Sequence, residues 1–195
     1  MLMKLNETFW DNRYQNQDTG WDLGQVSTPL QCYFDQLADK KLKILIPGGG
    51  NSYEAEYLHN NGFTNVYVID LSATALDNIK KRIPTFPDAH LIQGNYFDLT
   101  DSFDIQVEQT FFCAIDKTLR PNYVQQAHQL LKNEGKIIGV LFEAPLYEDH
   151  PPFGGNKTEY LNLFSSYFDI EIMDNCYNSV GDRKGRELFV KMKKK

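Results

Sequence analysis

A chain of 195 residues with 42% hydrophobic and 13% aromatic content is long enough to bury a core of its own and needs no metal or disulfide staple. Its net charge of -6 argues against a phosphate-tracking surface, because nucleic-acid affinity comes largely from clustered Lys and Arg. Cys32, Cys113 and Cys176 are odd in number and far apart, which draws neither a disulfide framework nor a zinc ribbon, and no run of about 18 apolar residues or charged-then-apolar leader is present. The expectation is one cytoplasmic domain spanning residues 1–195, acting on a small molecule without nucleic acid, membrane or metal, as a monomer or weak homodimer.

Residues 1–26 are rich in aromatic and turn-forming types without a clean period, and read as a short helix and an irregular arm. Thr28 or Pro29 opens a helix to about Lys40, with Leu30, Tyr33, Phe34 and Leu37 on one face; residues 1–40 thus form an arm plus helix ahead of the main fold. A regular alternation follows. Residues 42–47 are a strand, 52–61 a helix closed by Gly62, and 65–70 a strand. Ser72 caps a helix that ends before Pro84, and residues 89–94 form a third strand. Residues 104–115 read as a fourth strand, a helix runs from near Pro121 to Gly135, and residues 136–142 are a fifth strand. The end of the chain departs from this pattern: a helix over 158–167 leads into strands over 168–176 and 186–192, an antiparallel pair joined through Gly181 and Gly185.

Strands alternating with helices imply a doubly wound, mostly parallel α/β sheet with helices on both faces, in which ligands sit beyond the carboxyl ends of the strands. Those ends are readable. The first strand delivers Gly48, Gly49 and Gly50, the second Asp70, the third Asn95 and Tyr96, and the fourth Gln109 to Cys113. The glycine turn lacks the third glycine of the dinucleotide fingerprint, since Tyr53 stands there, and lacks the Gly-Lys-Ser/Thr ending of a triphosphate loop. Asp70 lies twenty residues after Gly50, where a carboxylate accepts hydrogen bonds from ribose hydroxyls, although alone it is equally a helix-capping acid. Adenosine without a pyrophosphate, carrying a sulfonium that aromatic rings can face, describes S-adenosyl-L-methionine.

Phe9-Trp10 through Trp21-Asp22-Leu23-Gly24, then Thr28-Pro29-Leu30, Pro47 to Gly50, Val68 to Ser72, Phe111 to Ile115, Leu119-Arg120-Pro121, Pro151-Pro152-Phe153 and Arg183 to Arg186 form an ordered set. It resembles the thiopurine S-methyltransferase family, closest to its plant halide, thiocyanate and thiol methyltransferase branch. The resemblance implies a class I methyltransferase sheet of seven strands, Rossmann-like, with the last strand antiparallel. It also implies that Trp10, Tyr14 and Trp21 border the methionine end of the cofactor as a lid, Gly48 and Gly50 line its back, and Asp70 takes the ribose. Asn95 and Tyr96 would flank the adenine and Gln109 would lie by the methionine moiety. Phe112, Cys113, Arg120 and Phe153 would line the substrate pocket. Asn95 departs from the family's aspartate, Glu108-Gln109 from an Asp-Tyr pair, and Gly49 from a cysteine.

Methyl transfer from a sulfonium to a thiolate, thiopurine, thiocyanate or halide is an in-line displacement that needs no general base, so no catalytic acid or base is assigned. Cys113 has no histidine near it in sequence and reads as packing or pocket lining. His59, His90, His128 and His150 lack metal-ligand spacing, with His150 placed in the loop after the fifth strand. Arg120 either attracts an anionic acceptor or pairs with an acid such as Asp116. Two other readings share these features: a non-catalytic sensor or scaffold that binds S-adenosyl-L-methionine, and an NAD-dependent oxidoreductase, against which Tyr53 argues.

Overall fold

A computed structural model describes residues 4–195. Near its N-terminus the chain forms α1 (Glu7–Gln15), capped by the Asn6 side chain, and α2 (Thr28–Phe34), with Pro29 in its first turn. The alternating region comprises β1 (Ile44–Pro47), α3 (Tyr53–Asn60), β2 (Val66–Asp70), α4 (Ala73–Arg82), β3 (Leu91–Gln93), β4 (Phe103–Gln109), α5 (Arg120–Leu130) and β5 (Leu131–Phe142). Then come α6 (Lys157–Phe164), β6 (Phe168–Asn175) and β7 (Glu187–Lys194). The seven strands make one sheet in the order β3-β2-β1-β4-β5-β7-β6, with β7 antiparallel to both neighbours. The doubly wound fold with an antiparallel final strand is therefore borne out.

Alternation along the strands sorts side chains to two cores. Ile44 and Ile46 of β1 join Leu30, Phe34, Ala55, Leu58, Leu76 and Ile79 from α2, α3 and α4, whereas Leu45 faces Tyr123, Val124, Tyr160 and Phe164 from α5 and α6. Both faces are covered, as a parallel sheet requires. The strand order reverses between β1, which pairs with β2 on one side, and β4 on the other. The ends of β1 and β4 therefore meet at the switch point where such sheets take ligands.

Several boundaries differ from the expectations. The fourth strand ends at Gln109 rather than 115, because Thr110 adopts φ +61° and throws the chain into a loop. Phe111, Phe112 and Cys113 consequently lie on that loop. Helix α5 stops at Leu130 rather than near Gly135: Leu131 pairs with Phe103, and Glu134 with φ +67° accommodates the register shift between Phe103 and Ile105. The helix after Thr28 ends at Phe34 instead of Lys40, and the one after β5 at Phe164 instead of Tyr167, each where the backbone tightens into a turn, the Leu37 amide donating to the Phe34 carbonyl and the Tyr167 amide to the Phe164 carbonyl. The third strand shortens to three residues behind a 3-10 turn over Asp88–His90.

Candidate functional site

The loop after β1 is built around two left-handed glycines, Gly48 (φ +54°) and Gly50 (φ +55°), followed by Ser52 at φ +42°. Glycine adopts this conformation freely, and here it also leaves room for aromatic neighbours. A β-carbon on Gly48 would lie 2.1 Å from the Phe111 ring, and one on Gly50 would lie 2.2 Å from the Tyr14 hydroxyl. The loop is thus pressed between the strand-four loop and the N-terminal arm.

Asp70 closes the loop from below. Its carboxylate accepts the Gly50 amide at 2.8 Å and the Ser72 amide at 2.8 Å, and burial raises its pKa against these donors. Of the two roles open in the sequence, ribose acceptor or helix-capping acid, the contact with Ser72 at the start of α4 is the capping one, and the hold on Gly50 is a further role that the sequence did not announce. Asp11 on α1 reaches across to accept the Ser72 hydroxyl at 2.7 Å and the Thr74 amide at 2.9 Å, the two contacts that lower its pKa most. It adds a second acid at the N-terminus of α4, where the helix dipole favours negative charge.

Over the loop lies the arm. Trp21 meets Trp10 at 5.7 Å and Tyr14 at 5.9 Å between ring centroids, both edge-on, and the Arg13 guanidinium sits 5.0 Å from the Trp21 ring. Three elements hold the segment after α1. Arg183, in the 3-10 turn before β7, donates to the Trp21 carbonyl at 2.6 Å; Asn51 donates to Asp22; and buried Glu54 accepts the Ser27 amide at 3.0 Å. Burial raises the Glu54 pKa, while the Ser27 amide opposes it.

Between arm and loop runs a cleft of about 50 Å³ lined by Tyr14, Trp21, Gly48, Gly50, Gln109 and Thr110, among others. Preformed small-molecule clefts enclose about 300–1,000 Å³. The cleft as it stands is therefore smaller than a nucleoside-sized ligand needs. Two side-chain atoms of the lining, Gln109 Oε1 and Ser52 Oγ, are buried without a hydrogen-bond partner. Buried polar atoms normally have partners. Unpaired acceptors in a cradle that only glycine fits suit the ammonium-bearing tail of S-adenosyl-L-methionine, so the residues present fit that cofactor.

The predicted site residues separate into two groups. Tyr14, Trp21, Gly48, Gly50 and Gln109 line the cleft, Asp70 underlies its loop, and Trp10 abuts the cleft through Trp21. Asn95 is exposed at the end of β3, where its Oδ1 accepts the Phe97 amide and its Nδ2 donates to Asp98 at 3.2 Å. Tyr96 is drawn into the core, 3% exposed, with its hydroxyl on Gln106 at 3.0 Å, so its ring is not offered at the surface to an adenine.

The substrate-pocket set is equally divided. Phe112 packs in the core against Tyr123, Tyr160 and Phe164. Arg120 is 1% exposed and pairs with Glu159 at 2.5 Å rather than with Asp116, while also donating to the Gly154 carbonyl at 2.9 Å. That correction follows from topology: α5 and α6 pack side by side, and Arg120 ties one to the loop before the other. Asp116 instead caps its own turn at Thr118. Phe153 is buried and its amide donates to the Cys113 carbonyl at 2.7 Å, which joins two candidate pocket segments. Burial pushes the Cys113 thiol up to about 12, so it is neutral and no nucleophile. His150 lies against Tyr147 with ring centroids 4.0 Å apart and the rings tilted by 33°, and its Nδ1 lies 2.9 Å from the Pro151 carbonyl.

Three residues beyond those chosen from sequence belong to this region. Thr110 lines both the cleft and a second, 10 Å³ cavity beside Cys113, Tyr160 and Glu187. Arg183 pins the arm. Glu108 is 1% exposed beneath the strand-four loop. A signal for the last was present: Gln106 and Glu108, two apart in a strand buried on both faces, put two polar groups on one side of it. Among the described residues no group of three or more His, Cys, Asp or Glu side chains is placed to hold a metal ion. None of the helices among them is long and apolar enough to cross a membrane.

A family profile described as thiopurine S-methyltransferase matches residues 5–193. The chain is 28% identical over 192 residues to a protein named probable thiol methyltransferase 2 of Arabidopsis thaliana, covering 95% of this chain and 84% of that one. It is 24% identical over 198 residues to thiocyanate methyltransferase 1 of Brassica oleracea, covering 97% and 86%. The fold is shared with the crystal structure of Burkholderia thailandensis 1,6-didemethyltoxoflavin-N1-methyltransferase bound to 1,6-didemethyltoxoflavin and S-adenosylhomocysteine, at a TM-score of 0.70 and 14% identity, covering 96% of this chain and 86% of that one.

Proposed function

The chain belongs to the thiopurine S-methyltransferase family, and from that premise we propose that it binds S-adenosyl-L-methionine over the glycine turn and methylates a small soft nucleophile. The acceptor class is a thiol, thiopurine, thiocyanate or halide. One observation carries the cofactor reading: the left-handed Gly48–Gly50 turn, tied down by Asp70 and roofed by Tyr14 and Trp21, faces the unpartnered oxygen of Gln109. When bound, the cofactor supplies a sulfonium-activated methyl group and leaves as S-adenosyl-L-homocysteine.

The chain's own residues bind, orient and exclude water. Asp70 holds the turn and offers its carboxylate toward the ribose side, Asn95 stands at the adenine end, and Gln109 Oε1 accepts from the amino-acid tail. Trp10, Tyr14 and Trp21 act as a lid that bounds the sulfonium and keeps water from the acceptor. Such alignment and exclusion are worth up to about 7–11 kcal/mol in favourable cases. No side chain is assigned to take a proton: the acceptor reacts as an anion, a thiol or thiopurine having already lost its proton to solvent, and neutral Cys113 does not compete with it. Phe153 and Cys113, joined by their backbone bond, border the acceptor side.

Two measurements test this. S-adenosyl-L-homocysteine should raise the melting temperature where NAD does not, and the reverse result refutes the methyltransferase reading. With thiol, thiopurine, iodide and thiocyanate acceptors in parallel, S-adenosyl-L-homocysteine should accumulate with at least one; tight binding without turnover on any of them identifies a sensor or scaffold instead.

A further inference from the structure

We propose that Glu108 is a positioning residue of the cleft: its buried carboxylate fixes the loop that carries Gln109, Thr110 and Phe111 to the glycine turn. The geometry is unusually complete for one side chain. Oε1 accepts two consecutive backbone amides, from Phe111 at 2.9 Å and Phe112 at 2.8 Å, and Oε2 accepts the Tyr123 hydroxyl at 2.7 Å. Those amides belong to the loop that Thr110 opens with φ +61°, a strained backbone that holds only where its surroundings determine it. Phe111, so held, lies on Gly48.

The bonding runs one way. Tyr96 donates to Gln106 Oε1 at 3.0 Å, Gln106 Nε2 donates to the Tyr123 hydroxyl at 2.9 Å, and Tyr123 donates to Glu108. With Gln106 in this orientation every link passes a hydrogen toward Glu108, and an ionised carboxylate, which only accepts, completes the relay. A protonated Glu108 would present a hydroxyl or leave Tyr123 without an acceptor. The relay also spans the site, joining the turn after β3 to the loop after β4. Gly139, the register partner of Glu108 on β5, lets the two strands approach closely here: a β-carbon on it would lie 2.3 Å from the Glu108 carbonyl oxygen and 2.5 Å from the Glu108 β-carbon.

No ion-pair partner offsets this charge among the described residues. Facing it are Tyr123 on α5, Tyr96 after β3, Cys113 on its own loop and Tyr160 on α6, with Glu187 of β7 in the same small cavity; Arg120 and Arg183 reach toward Cys113. Burial pushes Glu108 up to about 7 despite its three donors. A loop released while the carboxyl stays buried would deprive it of these donors and raise its pKa further, so protonation just below neutral pH favours the released loop, whereas global unfolding, which returns the carboxyl to water, is disfavoured by the same protonation.

The part of this inference that concerns cofactor binding rests on the proposed function; the lock itself does not. Amide hydrogen exchange of the 109–116 segment in the ligand-free protein, corrected for intrinsic pH dependence, should accelerate as pH falls through about 7 in the wild type. In Glu108→Gln it should be fast and free of that transition. Wild-type affinity for S-adenosyl-L-homocysteine, measured calorimetrically, should fall about tenfold from pH 8 to pH 6, since only the ionised fraction is competent, and the Gln variant should be flat. Should Glu108→Gln not fold, Tyr123→Phe removes one donor and must move the exchange transition to higher pH. Identical pH dependence in wild type and variant overturns the proposal, and so does an unmoved transition in Tyr123→Phe. A wild type that shows the exchange transition but binds no S-adenosyl-L-homocysteine refutes the cofactor reading and keeps the lock.

Discussion

The Tyr14 hydroxyl rests on Gly50 so closely that a β-carbon there would stand 2.2 Å from it, and Gly50 is left-handed at φ +55°. The arm and the glycine turn are therefore fitted to one another. Gly50→Ala should weaken S-adenosyl-L-homocysteine binding by at least tenfold and loosen the arm, through backbone strain of about 1 kcal/mol or more and displacement of Tyr14. Adding Tyr14→Phe should restore part of the loss, because it removes the clashing oxygen and leaves the strain. Calorimetry on the single and double variants measures both contributions.

Asp70 serves two amides from separate segments, Gly50 and Ser72. Asp70→Asn replaces an acceptor that meets two donors with an amide that turns its own N–H₂ toward one of them. Stability should drop by about 1–3 kcal/mol, and cofactor affinity should drop as well. Equal stability with reduced affinity would leave only the ribose role, and denaturant titration beside calorimetry separates the two.

Arg120 bonds Glu159 and the Gly154 carbonyl while its guanidinium lies 4.8 Å from the Phe112 ring. Arg120→Ala should lower stability by about 2–3 kcal/mol, discounted for the partial exposure of Glu159. The folded variant should keep its acceptor KM within about twofold, because a twofold change is worth only about 0.4 kcal/mol. A large rise in KM without loss of stability would return Arg120 to the substrate.

Four buried acids, Glu54, Asp70, Glu108 and Glu187, all have raised pKa values, each with burial as the leading cause. Between the ordinary carboxylate range and neutrality the folded state therefore holds more protons than the unfolded state. Stability should fall as pH rises through that window, the opposite of the trend set by salt-bridged carboxylates. Glu108 alone, moving from 4.5 to about 7, accounts for a few kcal/mol of that slope. Urea unfolding between pH 4.5 and pH 8 should show it, with a smaller slope in Glu108→Gln. The positioning carboxylate is thus held at a cost to the fold, as strained functional groups often are.

Much of this architecture is legible from residue order. Ile44 to Pro47 followed by Gly48, Gly49 and Gly50, and Val66 to Asp70 followed by Ser72, announce strand, turn and helix because apolar runs and glycines have local conformational consequences. Arg120 and Tyr96 were not legible. An arginine near a site looks the same whether it meets an anion or a half-exposed glutamate 39 residues away, and an aromatic beside a ligand edge looks the same as one turned inward.

By itself the sequence determined the doubly wound sheet, the glycine turn, the acid twenty residues on and the aromatic arm, since each depends on periodicity or on short-range backbone preference. Only the tertiary structure decided that the fourth strand breaks at Thr110, that Asp70 clamps Gly50, and that Glu108 gathers donors from α5 and its own loop. The physical reason is burial: a polar side chain inside the fold must find partners, and those partners lie wherever packing brings donors within about 3 Å, not at any fixed spacing along the chain.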